Sequence, residues 1–326
     1  NSSKNVIFGE RTDPMKHRIL VVSSANMDFV QRMARLPSAG ETVVEDETYS
    51  YIPGGKGLNS AVTFARLGGD TVLCSRVGRD ANGDRLCEFF AGEGIDTRFV
   101  CRDKNLPTGL ASVMVEADGA NRIVVYPGAA RALCADDVEE AFTSYPDGVF
   151  VQTEIPAEAV IAASRFAKEK NIPFFLDTGS IGPDFPLGEL YGAEIISPNE
   201  TECFAMTGIT PDSVENCLRA CIRIASVTET KYIVLKLGHR GSFVYDGKYY
   251  NLIPAHKVQA VDTTAAGDVF TAALSYAYLQ RGDILESARF ATLAAAVCVT
   301  REGASSSVPT LRDVKLFAKS VREASR

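Results

Sequence analysis

The chain has 326 residues, 46% of them hydrophobic and 23% charged, with a formal net charge of −7. That is apolar material for one large core or two moderate domains, and a balanced charge without low-complexity tracts argues against wholesale disorder. No Lys/Arg block supplies the basic face of a nucleic-acid binder, and no apolar run reaches the roughly 18 residues that cross a bilayer, so neither nucleic acid nor membrane is expected as a partner.

The first sixteen residues are polar and aperiodic, contain no secretory apolar stretch, and are expected to be a mobile lead-in to a domain over 17–326. Residues 18–23 are short, apolar and β-branched, a buried strand. Residues 41–52 read as an extended segment with no helix of their own. Ala61, Phe64, Ala65 and Leu67 recur at helical spacing over 57–67, and Gly68-Gly69 stops that helix. A strand follows over 71–77 and a helix over 81–94. Residues 110–126 read as two strands around Asp118-Gly119, a hairpin turn. Further strands are expected at 149–153, 174–177, 194–197 and 232–237, mostly followed by a turn and a helix. Residues 258–261 read as another strand, before an apolar helix over 269–279. This rhythm predicts an α/β fold, a mostly parallel sheet covered by helices on both faces. The segments 41–52 and 110–126 break it. They are candidates for a small separate sheet, or else for edge strands of the main one.

Eight cysteines are scattered without a C-x-x-C, and there are only three histidines. This suits reduced thiols in a cytoplasmic protein better than disulfides or zinc. Cys217 and Cys221, four apart, read as buried small hydrophobes.

There is no G-x-x-x-x-G-K-[ST] loop and no G-x-G-x-x-G after a strand. Instead the string Asp262-Thr263-Thr264-Ala265-Ala266-Gly267-Asp268 precedes the helix at 269. Small residues at a helix start leave amides uncovered for an anion. Asp268 in the first turn is placed to take a proton from a nucleophile that attacks phosphorus. The plainer reading is that Asp268 favours the helix dipole and Asp262 caps a turn. In Gly54-Gly55-Lys56-Gly57-Leu58-Asn59 the glycines permit close backbone approach, with Lys56 and Asn59 as polar handles; alone this is only a glycine turn. Asn26-Met27-Asp28 follows the first strand, where open α/β sheets bind ligands, and can fork onto sugar hydroxyls or simply make an Asx turn. Asn199-Glu200-Thr201-Glu202 follows the strand at 194–197; Glu202 suits hydrated Mg²⁺, or ordinary helix capping.

Together with Val77-Gly78-Arg79-Asp80 and Gly94-Ile95-Asp96-Thr97, these strings resemble the ribokinase-like sugar kinase family from about residue 17 to 308. The resemblance implies a Rossmann-like α/β/α sandwich plus a β-sheet lid near 41–52 and 110–126, with paired lids forming a homodimer. It implies ATP-dependent phosphorylation of D-ribose at its 5-hydroxyl; a kinase for another furanose, deoxyribose or a nucleoside is the neighbouring alternative, and a non-catalytic sugar or nucleotide sensor the more distant one. By position, Asp268 resembles the catalytic base, and the amides of Ala265, Ala266 and Gly267 the anion hole. Asn26, Asp28, Gly54, Gly55, Lys56, Asn59 and Glu154 resemble the sugar set, and Asn199, Gly238 and Gly241 the nucleotide contacts. Glu202 resembles a Mg²⁺-associated acid acting through water. Asp262, Thr264, Cys298, Arg301, Gly303 and Ser307 fall where a K⁺ site is expected, some through carbonyls. The chain departs from the family pattern at Met27, at Asp177-Thr178-Gly179-Ser180 in place of an Asn-Pro segment, and at Lys236, which stands in place of a small Thr-like residue and either adds a phosphate contact or turns outward.

Overall fold

The computed structural model describes residues 16–46, 48–118 and 120–324. The expected lead-in, apart from Lys16, and Gly119 of the expected hairpin turn lie outside them. After β1 (Arg18–Val22) the chain passes through three residues into β2 (Asn26–Met33), returns as β3 (Ser50–Gly54) and enters α1 (Lys56–Arg66). Next come β4 (Asp70–Gly78), α2 (Ala81–Gly92), β5 (Asp96–Asp103) and the hairpin β6 (Gly109–Glu116) and β7 (Asn121–Tyr126). The alternating part runs through α3 (Ala135–Ala141), β8 (Gly148–Gln152), α4 (Ala157–Glu169), β9 (Phe174–Asp177), β10 (Ala193–Ser197), α5 (Glu200–Thr207), α6 (Val214–Val227) and β11 (Thr230–Lys236). A second hairpin, β12 (Ser242–Tyr245) and β13 (Tyr250–Ile253), precedes α7 (Ala266–Arg281), α8 (Ile284–Cys298) and α9 (Leu311–Ala324).

The main sheet has the order β13-β12-β11-β10-β9-β8-β1-β4-β5. It is parallel from β11 to β5, with β12 and β13 as an antiparallel edge. Both faces are covered, which is why its strands read as unbroken apolar runs. In β1 the period of two sends Ile19 and Val21 to one face, with Phe64, Tyr276 and Phe290, and Leu20 and Val22 to the other, with Phe142, Phe166 and Cys221.

The second sheet is separate and small, ordered β3-β2-β6-β7. Two expectations need correction. Among the described residues of 41–52, strand pairing starts only at Ser50, and one of the two inner strands of this sheet is β2, outside both expected segments. Residues 258–261 form no strand. The amides of Val261 and Asp262 both turn to the Val299 carbonyl, and Val258 and Ala260 line a cavity instead of pairing with a neighbour.

Candidate active site

The site forms where β1 leaves the main sheet and becomes β2 of the small one. Asn26 is paired in register with Gly54 of β3 and Gly109 of β6, and a β-carbon at Gly109 would fall 2.1 Å from its Oδ1. A β-carbon at Gly54 would fall 2.1 Å from Asp28 Oδ2, so only glycine lets that carboxylate lie against the turn. Gly55, with φ of 95°, makes the bend into α1 in a conformation that side chains disfavour. The bend aims the first turn of α1 inward, where Asn59 Nδ2 donates to Asp268 Oδ2 at 2.8 Å. Lys56 Nζ lies 3.4 Å from Glu154 Oε1. Glu154, just beyond β8, also accepts from Ser24 at 3.4 Å and Ser180 at 2.9 Å. The sugar-set residues named from the sequence thus converge on one cradle, within which Oδ1 of Asn26 and Oδ1 of Asn59 are buried without a protein partner.

Electrostatics in the cradle are strongly coupled. Burial and the Glu154 charge push Asp28 up to about 6, against the pull of Lys56. Burial and the Asp177 charge push Asp268 up to about 7, against Lys56, the Asn59 hydrogen bond and Lys236. For Lys56, burial works against the charge but is outweighed by Glu154, Asp268 and Asp177, so its pKa is raised.

On the other side of Asp268 lies a cavity of about 550 Å³ lined by Asn199, Gly238, Gly241, Ala266 and Gly267, with an apolar wall that includes Phe270 and Val299. Helix α7 opens onto it. Its N-cap is Ala265, a non-glycine residue at φ 63°, and the strain of that conformation turns the chain sharply enough to bring the helix end to the cavity. The first-turn amides of a helix have no partner within it and carry the positive end of its dipole. The Ala266 amide, however, makes a long 3.3 Å bond to the Thr263 carbonyl, so it is partly engaged.

Asp262 ties this loop to the segment after α8. Its Oδ1 accepts from the Thr264 amide at 2.9 Å and hydroxyl at 2.6 Å, and its Oδ2 from the Gly303 amide at 2.9 Å. These bonds overcome burial and hold its pKa below the usual carboxylate value. Cys298 Sγ lies 3.7 Å from the Thr264 carbonyl and 3.2 Å from Ser307 Oγ. Five of the six expected cation-site residues therefore share one network, whereas the Arg301 side chain turns away to Asp313 at 3.2 Å. Glu202 forms a capping box with Asn199 and accepts from Thr178 at 3.0 Å, the capping geometry its sequence context allowed.

Two residues outside the expected set complete the centre. Lys236 does not turn outward; its side chain is 10% exposed and lies 3.1 Å from Asp177, whose side chain is 1% exposed. The signals at Asp177 were an acid ending an apolar strand and its place in the segment that departs from the family pattern.

The pfkB family carbohydrate kinase pattern matches residues 16–311. A ribokinase of Arabidopsis thaliana is 35% identical over 312 residues, 92% of this chain and 81% of its own. A ribokinase of Haemophilus influenzae is 34% identical over 310 residues, 93% of this chain and 99% of its own. The solved structure of Arabidopsis thaliana ribokinase complexed with ribose and ATP superposes with a TM-score of 0.85 at 34% identity, covering 94% of this chain and 99% of that one. The chain belongs to the pfkB family of carbohydrate kinases.

Proposed function

We propose that the chain transfers the γ-phosphoryl group of ATP to the 5-hydroxyl of D-ribose, giving D-ribose 5-phosphate and ADP. The observation that carries this reading is the position of Asp268. Its carboxylate is tied to the polar cradle through Asn59, and its backbone belongs to the helix turn that faces the nucleotide-sized cavity. The relative solved with ribose and ATP supports the choice of substrates. Asn26, Asp28, Lys56, Asn59 and Glu154 hold the sugar hydroxyls, with the backbone of Gly54 and Gly55 closing against it. Asp268 takes the proton of the 5-hydroxyl, whose oxygen then bonds to the γ-phosphorus as the bond to the β-phosphate oxygen breaks. ADP leaves with that electron pair. The amides of Ala265, Ala266 and Gly267 stabilise the charge on the equatorial oxygens. For Ala266 this means giving up its long bond to Thr263.

Among the described residues no cluster of three or more His, Cys, Asp or Glu is placed to hold a metal ion. Glu202, whose oxygens already accept from Asn199 and Thr178, fits Mg²⁺ only through water, with ATP phosphates as the direct ligands. Bound there, Mg²⁺ neutralises phosphate charge. The oxygens of Asp262, Thr264 and Ser307, with carbonyls at Cys298, Arg301 and Gly303, suit K⁺, which would stiffen the loop that carries the anion hole. Asn199, Gly238 and Gly241 line the nucleotide cavity and contact ATP. Exposed Ile123, Val125 and Tyr126 on β7 and Tyr51 on β3 support pairing of small sheets in a homodimer. Eight free cysteines support a reducing, cytoplasmic setting.

The test is ADP release with ribose, 2-deoxyribose, fructose and adenosine in parallel. Ribose is expected to give the highest kcat/KM; a clear preference for any other acceptor would overturn the substrate assignment.

A further inference from the structure

The two stretches where the chain departs from its family pattern on the nucleotide side meet in space. Asp177 ends β9 and Lys236 ends β11, with β10 between them. Asp177 is in register with Ser197, the small last residue of β10, and Lys236 bridges to Asn199 just beyond it. Lys236 Nζ lies 3.1 Å from Asp177 Oδ1 and 3.1 Å from Thr271 Oγ1, one turn beyond Asp268 on α7. An ammonium has three hydrogens to donate. The next acceptor, Glu202 Oε2, stands at 4.0 Å, too far for a hydrogen bond. The lysine stem passes along the start of α7, with Nζ 3.8 Å from where a β-carbon on Gly267 would sit. Lys236 and Gly267 line the same cavity.

A buried ion pair is a costly way to stabilise a fold, because both ions lose their hydration. Here the pair stands at the end of the sheet that faces the ligand, and not within either apolar cluster. Asp177 Oδ2 is buried without a partner, while its Oδ1 also accepts from the Gly179 amide at 3.1 Å. The carboxylate is thus oriented by a local turn and in turn orients the lysine. The local balance also calls for a cation: Asp177, Asp268 and Glu202 all act on Lys236 and hold it protonated despite burial.

We propose that Lys236 is a further catalytic residue whose ammonium binds the phosphoryl group in transit beside Gly267, and that Asp177 is the positioning residue that aims it. This rests on the reading of Asp268 and the α7 terminus as the phosphoryl-transfer centre. Lys236 adds one mobile full charge to fixed amide dipoles, and its contact strengthens as the group moves toward the sugar. A positioned donor of this kind is worth about 10²–10³-fold in turnover.

The experiment compares Lys236→Met, Asp177→Asn and the double variant Asp177→Asn/Lys236→Met, which removes both charges of the pair together. If the pair is only structural, the double variant recovers. The proposal expects the double variant to fold like the wild type but to stay down about 10²-fold in kcat, with little change in the KM for ribose. It also expects both Met-containing proteins to lose affinity for β,γ-methylene ATP more than for ADP in calorimetry. Recovery of the double variant to within about threefold of wild-type kcat, less than 1 kcal/mol of barrier, would overturn it. Equal losses of affinity for ADP and the triphosphate analogue would overturn it as well. Asp268→Asn is run alongside, because wild-type turnover there would defeat the centre itself, whatever Lys236 does.

Discussion

Replacing Asp268 by Asn should cripple the enzyme and stabilise it at the same time. The carboxyl is raised from its ordinary 3.8 to about 7, chiefly by burial and then by Asp177. Between those values the folded protein holds a proton that the unfolded chain has released. Stability therefore falls as pH rises through this window and is flat above about 7. The full penalty corresponds to about 4 kcal/mol, three tenfold steps of about 1.4 kcal/mol each. Asn removes the charge but keeps a carbonyl oxygen to accept from Asn59. The raised value already includes the attraction of Lys56 and Lys236, so the net gain is expected to be up to about 4 kcal/mol at pH 8, shrinking toward zero near pH 4. Turnover should drop by about 10²–10⁴-fold, the range for losing a general base. Urea unfolding of ligand-free protein at pH 8 and pH 5, with steady-state kinetics at pH 8, measures both. A variant of near-normal turnover would remove Asp268 from the base role. A variant destabilised equally at both pH values would show that its carboxylate is not held against its charge.

Asp28→Ala should erase any preference for ribose over 2-deoxyribose, since a site that loses its acceptor no longer penalises a missing hydroxyl; an unchanged ratio of kcat/KM for the two sugars would clear Asp28 of reading them. Turnover should rise with added K⁺ in sodium- and potassium-free buffer at constant ionic strength, and Asp262→Ala should abolish the response; a flat curve, or an equal response to tetramethylammonium, would reject the cation site. Light scattering should give about twice the 35.1 kDa chain mass, and Val125→Asp on the exposed strand β7 should yield monomers; a fully active wild-type monomer would count against pairing through the small sheet.

The parallel sheet was legible because both of its faces are buried, so each strand announces itself as an apolar run regardless of what packs on it. The small sheet was legible only in part. Its inner strand β2 carries Asp28, Gln31 and Arg32 within eight residues and is mostly half-buried, and the period-two pattern is lost. The opposite error at 258–261 has a related cause: Val258 and Ala260 line a cavity and do not meet a sheet neighbour. Asn26, the glycine turn and the Asp262–Asp268 string were readable as contiguous chemistry at strand and helix ends. Asp177 and Lys236 were readable singly, as departures from the family pattern, but not as a pair, for they stand 59 residues apart with no periodic signal joining them. Yet the charge of Asp268 depends on both. Its acidity is set chiefly by burial and then by Asp177 on β9, Lys56 and Asn59 on α1 and Lys236 on β11, four residues from three segments that meet only after the sheet has formed. Each is an ordinary end-of-element residue in the chain. The Asp268 carboxyl is raised to about 7 because the fold buries it and brings a second acid close, while two lysines and Asn59 pull it back.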